Sequence, residues 1–182
     1  RSTLFPYTTL FRSSYISNEE LTNSVAVIDQ NVVLFDDTVA QNIRMWDPSI
    51  EDFTMIMACN DAQIRTDIMS RPDGFSSRII KGGQNFSGGQ RQRMEMATAL
   101  AKEPSILIMD EATSALDPKT EDEVMNRIRL MGPTLIIVAH RLSTIRDCDE
   151  IIVMDQGKIL QRGRHETLIA QEGFYQDLMR SE

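Results

Sequence analysis

An α/β fold built on a largely parallel sheet is what the sequence predicts, and three observations carry that prediction. The runs Ile106-Leu107-Ile108-Met109 and Leu135-Ile136-Ile137-Val138 lack polar alternation, as strands covered on both faces do. Helical patterns of about ten to fifteen residues separate such runs, the spacing of crossover units. The strand candidates also end in reactive side chains, at Gln30, at Asp110-Glu111 and at His140. In open parallel sheets, ligands gather beyond those carboxyl ends.

Taken in order, Val25-Ala26-Val27-Ile28 reads as a buried strand running into Asp29-Gln30. Asp47-Pro48-Ser49 supplies helix-start chemistry, with Ser49 three residues before Asp52, and Ile50, Phe53, Ile56 and Met57 follow at helical spacing. Ile64 and Ile68 mark a second short helix, and Pro72-Asp73-Gly74 a turn. Gly82-Gly83 and Gly88-Gly89 bracket a loop. An amphipathic helix from Gln90 to Lys102 follows, with Met94, Ala97, Leu100 and Ala101 on one face and Pro104 as its stop. A strand at Ile106–Met109 precedes a helix over 118–131, capped by Asp117 and closed by Gly132-Pro133. After the strand ending near His140, a hairpin turns at Asp155-Gln156-Gly157-Lys158, and one last helix, interrupted near Gly173, spans about 165–179.

Composition narrows the function classes. At 182 residues, 41% hydrophobic and 25% charged, the chain fits one globular domain rather than a disordered, collagenous or coiled-coil class. Nineteen Lys and Arg against 27 Asp and Glu leave a net charge of −8, which argues against a nucleic-acid partner. No stretch approaches the ~20 apolar residues of a membrane span. Cys59 and Cys148 stand alone without metal-ligand spacing and read as reduced thiols. Residues 1–13 resemble the translation of a short-read sequencing adapter and are set apart from fold reasoning. The expectation is therefore a fragment, residues 14–182, of a protein that continues upstream.

Two segments carry chemistry. Asp110 and Glu111 are adjacent carboxylates at a strand end, where a Mg²⁺ ion would relieve their repulsion and the second carboxylate could orient a water. A helix-capping acid cluster explains them about equally well. Phe86-Ser87-Gly88-Gly89-Gln90 places glycines before a helix N-terminus, an arrangement that suits an anion, and Arg91 and Arg93 add positive charge where the helix dipole disfavours it. Gln30, His140 and Asp117 are each unremarkable alone: a loop amide, a strand-end imidazole and a helix cap.

In sequence order these segments resemble the nucleotide-binding domain of an ATP-binding-cassette (ABC) transporter of exporter type. The likeness covers Ser14 to Glu182. Gln30, with Leu34-Phe35, Thr38-Val39 and Asn42-Ile43, is similar to the Q-loop. Phe86 to Arg93 is similar to the signature motif, with Phe86 where Leu is usual. Ile106 to Glu111 resembles Walker B, Ser114-Ala115-Leu116-Asp117 the D-loop, and Ala139 to Ile145 the switch-histidine segment.

The resemblance implies a P-loop NTPase-like sheet with an inserted helical subdomain at about 31–102 and the Walker B, D-loop and switch core at 103–182. It implies that Asp110 holds Mg²⁺ with help from Gln30, that Glu111 polarises the attacking water, and that His140 contacts the γ-phosphate. Ser87, Gly88, Gly89 and Gln90 would grip ATP bound mainly to a second cassette, in a head-to-tail dimer, and Asp117 would communicate across it. The implied partners are that second cassette and the coupling helices of a transmembrane domain, at the cytoplasmic face of a bacterial inner membrane.

Two departures stand out. Lys81 replaces the Glu that exporters often carry before the signature. No Gly-x-x-x-x-Gly-Lys-Ser/Thr segment occurs in the chain, since its one Gly-Lys, Gly157-Lys158, falls in the hairpin turn. In the family the phosphate loop lies upstream of the Q-loop, so it and the N-terminal β-subdomain are expected to be missing, and the chain alone is expected to lack ATP binding in cis. The wording Val27 to Asn31, Trp46-Asp47 and Asn85 to Gly88 is similar to bacterial exporters of leader-bearing peptides of the bacteriocin type. The alternatives are a catalytically silent partner cassette, a non-transport ATPase of the same superfamily, and a non-functional truncated reading frame.

Overall fold

The computed structural model describes residues 17–139 and 141–181. Val25–Ile28 forms β1, Ile106–Asp110 β2 and Thr134–Val138 β3, in one sheet ordered β1-β2-β3. β1 and β2 run parallel, with Val25 opposite Ile106 and Ile28 opposite Met109. A parallel register brings two carboxyl ends out at the same edge, so Asp29-Gln30 and Asp110-Glu111 emerge side by side. The described residues up to Ile136 make one compact unit and those from Ile137 onward another.

Around the sheet of the first unit lie α1 (Asn18–Ser24), α2 (Val39–Arg44), α3 (Asp52–Asp61), α4 (Arg65–Met69), α5 (Gly88–Leu100) and α6 (Pro118–Met131). α1 and α2 were not anticipated, although each carries a legible cap. Ser17 accepts from the Glu20 amide in a capping box, and Thr38 accepts from the Gln41 amide. α6 has the expected ends, with Asp117 accepting from Thr120 and Gly132 closing the helix at φ 81°. α5 buries Met94, Ala97 and Leu100 as its periodicity requires, and packs on β1, α2 and α3.

Three local expectations need correction. The Asp47-Pro48-Ser49 cap is instead a turn, in which the Asp47 carboxylate accepts from both the Ser49 amide and hydroxyl. α3 begins later, after Glu51, with no side-chain cap. Its inward face is also only partly the expected one. Ile50 is buried and Ile56 half-buried, but Phe53 is 71% and Met57 42% exposed, and Met55, Ala58, Cys59 and Ala62 are buried instead. Small residues let α3 lie close to α5, and that proximity outweighs the larger apolar stripe. Gly88 and Gly89 belong to the first turn of α5 rather than to a loop, because Ser87 is the N-cap and Gln90 completes its capping box.

The second unit contains α7 (Leu142–Ile145), the antiparallel strands β4 (Ile151–Asp155) and β5 (Lys158–Gly163), α8 (His165–Ile169) and α9 (Phe174–Ser181). Gln156 and Gly157 turn the hairpin at φ 46° and 75°, the conformation that matches strand twist. The expected interruption of the terminal helix near Gly173 is present, with α8 ending at Ile169 and α9 starting at Phe174. Ile151, Val153, Leu168 and Tyr175 form the core, and the Tyr175 hydroxyl meets Nδ1 of His165 at 2.9 Å.

Candidate functional site

At the carboxyl edge of the sheet, Nε2 of Gln30 donates to Oε2 of Glu111 at 2.7 Å. Eighty-one positions separate the two residues in sequence; the parallel pairing of β1 with β2 brings them together. Asp110, the last residue of β2, is exposed beside them. Glu111 adopts φ 49°, a left-handed conformation that non-glycine residues occupy at a cost and that concentrates at functional sites. Among the described residues no cluster of three His, Cys, Asp or Glu could hold a metal ion. The donors at this edge are two successive carboxylates and an amide. That set suits Mg²⁺, which takes one or two protein oxygens and completes its shell with phosphates and water.

The Ser87–Gln90 segment is ordered by its own hydrogen bonds. Ser87 Oγ accepts from the Gln90 amide at 3.2 Å, and the Gln90 side chain accepts from the Ser87 amide at 3.0 Å. Nε2 of Gln90 then donates to Asp67 at 2.8 Å. The basic charge that pointed to an anion is spent locally. Arg91 donates to the Phe86 carbonyl at 3.1 Å, and Arg93 pairs with Asp67 at 3.1 Å while donating to the Gln63 carbonyl. What remains for an anion is the backbone at the start of α5. Phe86 is buried with the Arg71 guanidinium 3.5 Å from its ring centroid, and Arg71 also donates to the Asn85 carbonyl at 2.7 Å. An aromatic ring at this position therefore has a specific partner.

α5 carries two side chains that sequence reasoning passed over. Gln92, 3% exposed, donates to Ser114 Oγ at 3.0 Å and to the Glu111 carbonyl at 3.4 Å, and accepts from the Ala115 amide at 2.9 Å. Three residues along, the half-buried Glu95 carboxylate lies against Asp29 and its backbone amide. Burial first, and the neighbouring Asp29 charge after it, raise the Glu95 carboxyl above its ordinary value, against the opposing pull of that amide. The signal for both was a polar residue in the inward rows of an amphipathic helix.

Gln30 leads into a segment held by Asn42. That buried side chain accepts from the Phe35 amide at 2.7 Å and donates to the carbonyls of Phe35 and Thr38. Across from it, Gly82 donates to Asp36 at 2.9 Å, and Ile79 donates to the Asp37 carbonyl at 2.8 Å. Lys81 sits in this paired segment, exposed and at φ 48°. Asp117 is the N-cap of α6, and its hydrogen bonds from Thr120 hold its carboxyl below the usual range. His140 lies outside the described residues, as do residues 1–13 with the adapter-like segment. Gln30, Glu111 and Asp110 thus share one edge, while Ser87 to Gln90 form the separate start of α5.

Residues 8–114 match the ABC transporter family. The chain is 43% identical over 162 residues to the mitochondrial ABC transporter B family member 24 of Arabidopsis thaliana, covering 88% of this chain and 24% of that protein. It is 41% identical over 170 residues to the ATP-dependent lipid A-core flippase of Cupriavidus pinatubonensis, covering 91% and 29% respectively. Its backbone is similar to that of a bacterial Atm1-family ABC exporter with ATP bound, at a TM-score of 0.87 and 34% identity over 92% of this chain and 30% of that one. The chain spans about a quarter to three tenths of the length of these relatives.

Proposed function

The chain belongs to the ABC transporter family, and from that membership we propose that it is an ATP-binding and ATP-hydrolysing cassette of an exporter. One observation carries the reading: the Gln30 amide on the Glu111 carboxylate at 2.7 Å, beside Asp110. Glu111 is the base that draws the proton from a water as it attacks the γ-phosphate. Gln30 fixes which way that carboxylate faces, and its amide oxygen, with Asp110, serves the magnesium ion. When bound, the ion neutralises charge developing on the phosphate oxygens. His140 contacts the terminal phosphate.

Ser87, Gly88, Gly89 and Gln90 offer backbone N–H groups to a nucleotide held mainly by a second cassette. Asp117 communicates across that head-to-tail interface. The segment from Gln30 to about Lys102 docks on the coupling helices of a transmembrane domain at the cytoplasmic side of a bacterial membrane. Among the described residues no helix is long and apolar enough to cross one. Lys81 alters this contact by reversing a charge.

A peptide is the proposed cargo, on the wording of Val27 to Asn31, Trp46-Asp47 and Asn85 to Gly88. A lipid is the second reading, favoured by the 41% identity to a protein named as a lipid A-core flippase. Proteoliposomes of the full-length protein distinguish them, since the true cargo stimulates ATP turnover and the other does not. Glu111→Gln in that protein is expected to lower turnover by about 100-fold or more while leaving nucleotide binding intact. Undiminished turnover would remove Glu111 from the mechanism.

A further inference from the structure

We propose that Gln92 is a positioning residue, one that couples the Ser87–Gln90 segment to Glu111 within a single cassette. The inference rests on the roles just proposed for those residues. The Gln92 amide is held at both its ends. It donates to Ser114 Oγ and the Glu111 carbonyl, and it accepts from the Ala115 amide, so one buried side chain fixes the whole turn that leaves β2. Only a side chain with donor and acceptor on one planar group makes all three bonds.

The first turn of α5 rides on the same turn. A Cβ added at Gly89 would lie 3.1 Å from the Ala115 carbonyl oxygen, and one at Gly88 3.8 Å from the Ala115 Cβ. Gln92 follows Ser87 by about 7 Å along a continuous helix, so a displacement at Ser87 reaches Gln92 without loss. The element it acts on can respond. Glu111 sits at φ 49°, held through its carbonyl by Gln92 and through its carboxylate by Gln30. Engagement of Ser87–Gln90 by the partner cassette's nucleotide therefore sets the orientation of Glu111 toward the nucleotide of its own cassette. Closure and hydrolysis are thereby linked inside one chain.

The experiment measures MgATP turnover of the full-length protein in nanodiscs, with kcat normalised to the nucleotide-binding-competent fraction. Gln92→Met keeps the side-chain volume and removes every hydrogen bond. It is expected to lower kcat about 10-fold while KM for MgATP stays within about two-fold. Ser114→Ala, which removes one of three partners, is expected to cost less than Gln92→Met. A role in packing alone would lower the melting temperature and the competent fraction and leave normalised kcat unchanged, and that result overturns the proposal. If the Met variant does not fold, Gln92→Glu replaces it. This variant keeps the acceptor for Ala115 and lacks the donor to Ser114 and Glu111, so unchanged normalised kcat again overturns the coupling. Absence of turnover in the unsubstituted protein overturns the functional reading, and the coupling with it. Turnover that Glu111→Gln abolishes but Gln92 variants leave untouched overturns the coupling alone.

Discussion

Glu111 holds a backbone conformation that costs an ordinary residue about 1–2 kcal/mol, and its side chain is bonded at once by Gln30. Such strain persists where surrounding contacts over-determine it, and here Gln92 and Gln30 do so from opposite ends of the residue. Glu95 is the neighbouring titratable group whose state is tied to folding. Its carboxyl is raised by burial, so the folded chain binds its proton more readily than the unfolded chain does. That contribution is fully present below the unfolded value near 4.5 and is lost as pH rises through the folded value. Glu95→Gln is therefore expected to melt higher than the unsubstituted protein at neutral pH, with the gap closing in acid. Paired thermal melts across that range check it, and a constant gap contradicts it. Cys59 offers a simpler reading. Burial pushes its thiol up to about 12, so the native protein should leave it unlabelled by iodoacetamide until denaturant is added. Mass spectrometry of the labelled peptides decides between the states.

Among the elements, α6 is the one whose ends are set by sequence alone. Gly132 stops it at φ 81° with nothing within 4 Å of a would-be Cβ, so a substitution there meets only backbone strain. Gly132→Ala is expected to destabilise by about 1 kcal/mol, read as a shift in urea midpoint at unchanged slope. Ile128, fully buried on the same helix, belongs to a different mechanism. Ile128→Ala loses transfer energy and leaves a cavity, for about 3 kcal/mol. Were the two substitutions to cost the same, packing would not be what holds α6 in place. α5 differs again, because its inward face mixes Met94, Ala97 and Leu100 with Gln92. The polar member contributes geometry rather than transfer energy.

For the molecule as a whole, the apolar surface left open in the first unit has a consequence. Val27 on β1 is 55% exposed, Ile136 on β3 49%, and Leu130 on α6 81%. Apolar side chains open on a sheet favour association with other surfaces. The 182-residue chain by itself is expected to self-associate as concentration rises, measured by light scattering on a sizing column. A monodisperse monomer with a sharp, reversible thermal transition speaks against this. The same chain has no Gly-x-x-x-x-Gly-Lys-Ser/Thr segment to cradle the β- and γ-phosphates. Residues 14–182 are accordingly expected to show no MgATP binding at micromolar concentration by calorimetry.

The sequence by itself determined the strands, the ends of α6 and the order of the reactive segments. Apolar runs, helix caps and glycine stops act over a few residues, and their physics is local. Family membership was legible for the same reason, since Phe86 to Arg93 and Ile106 to Glu111 are contiguous. Only the tertiary structure decided which face of α3 turns inward, because close approach to α5 favours Ala58 and Cys59 over the larger Phe53 and Met57. It also decided that Arg91 and Arg93 serve carbonyls and Asp67, and that Gln30 reaches Glu111. Those outcomes depend on what a distant part of the chain places beside each residue, and spacing along one strand of sequence holds no record of that.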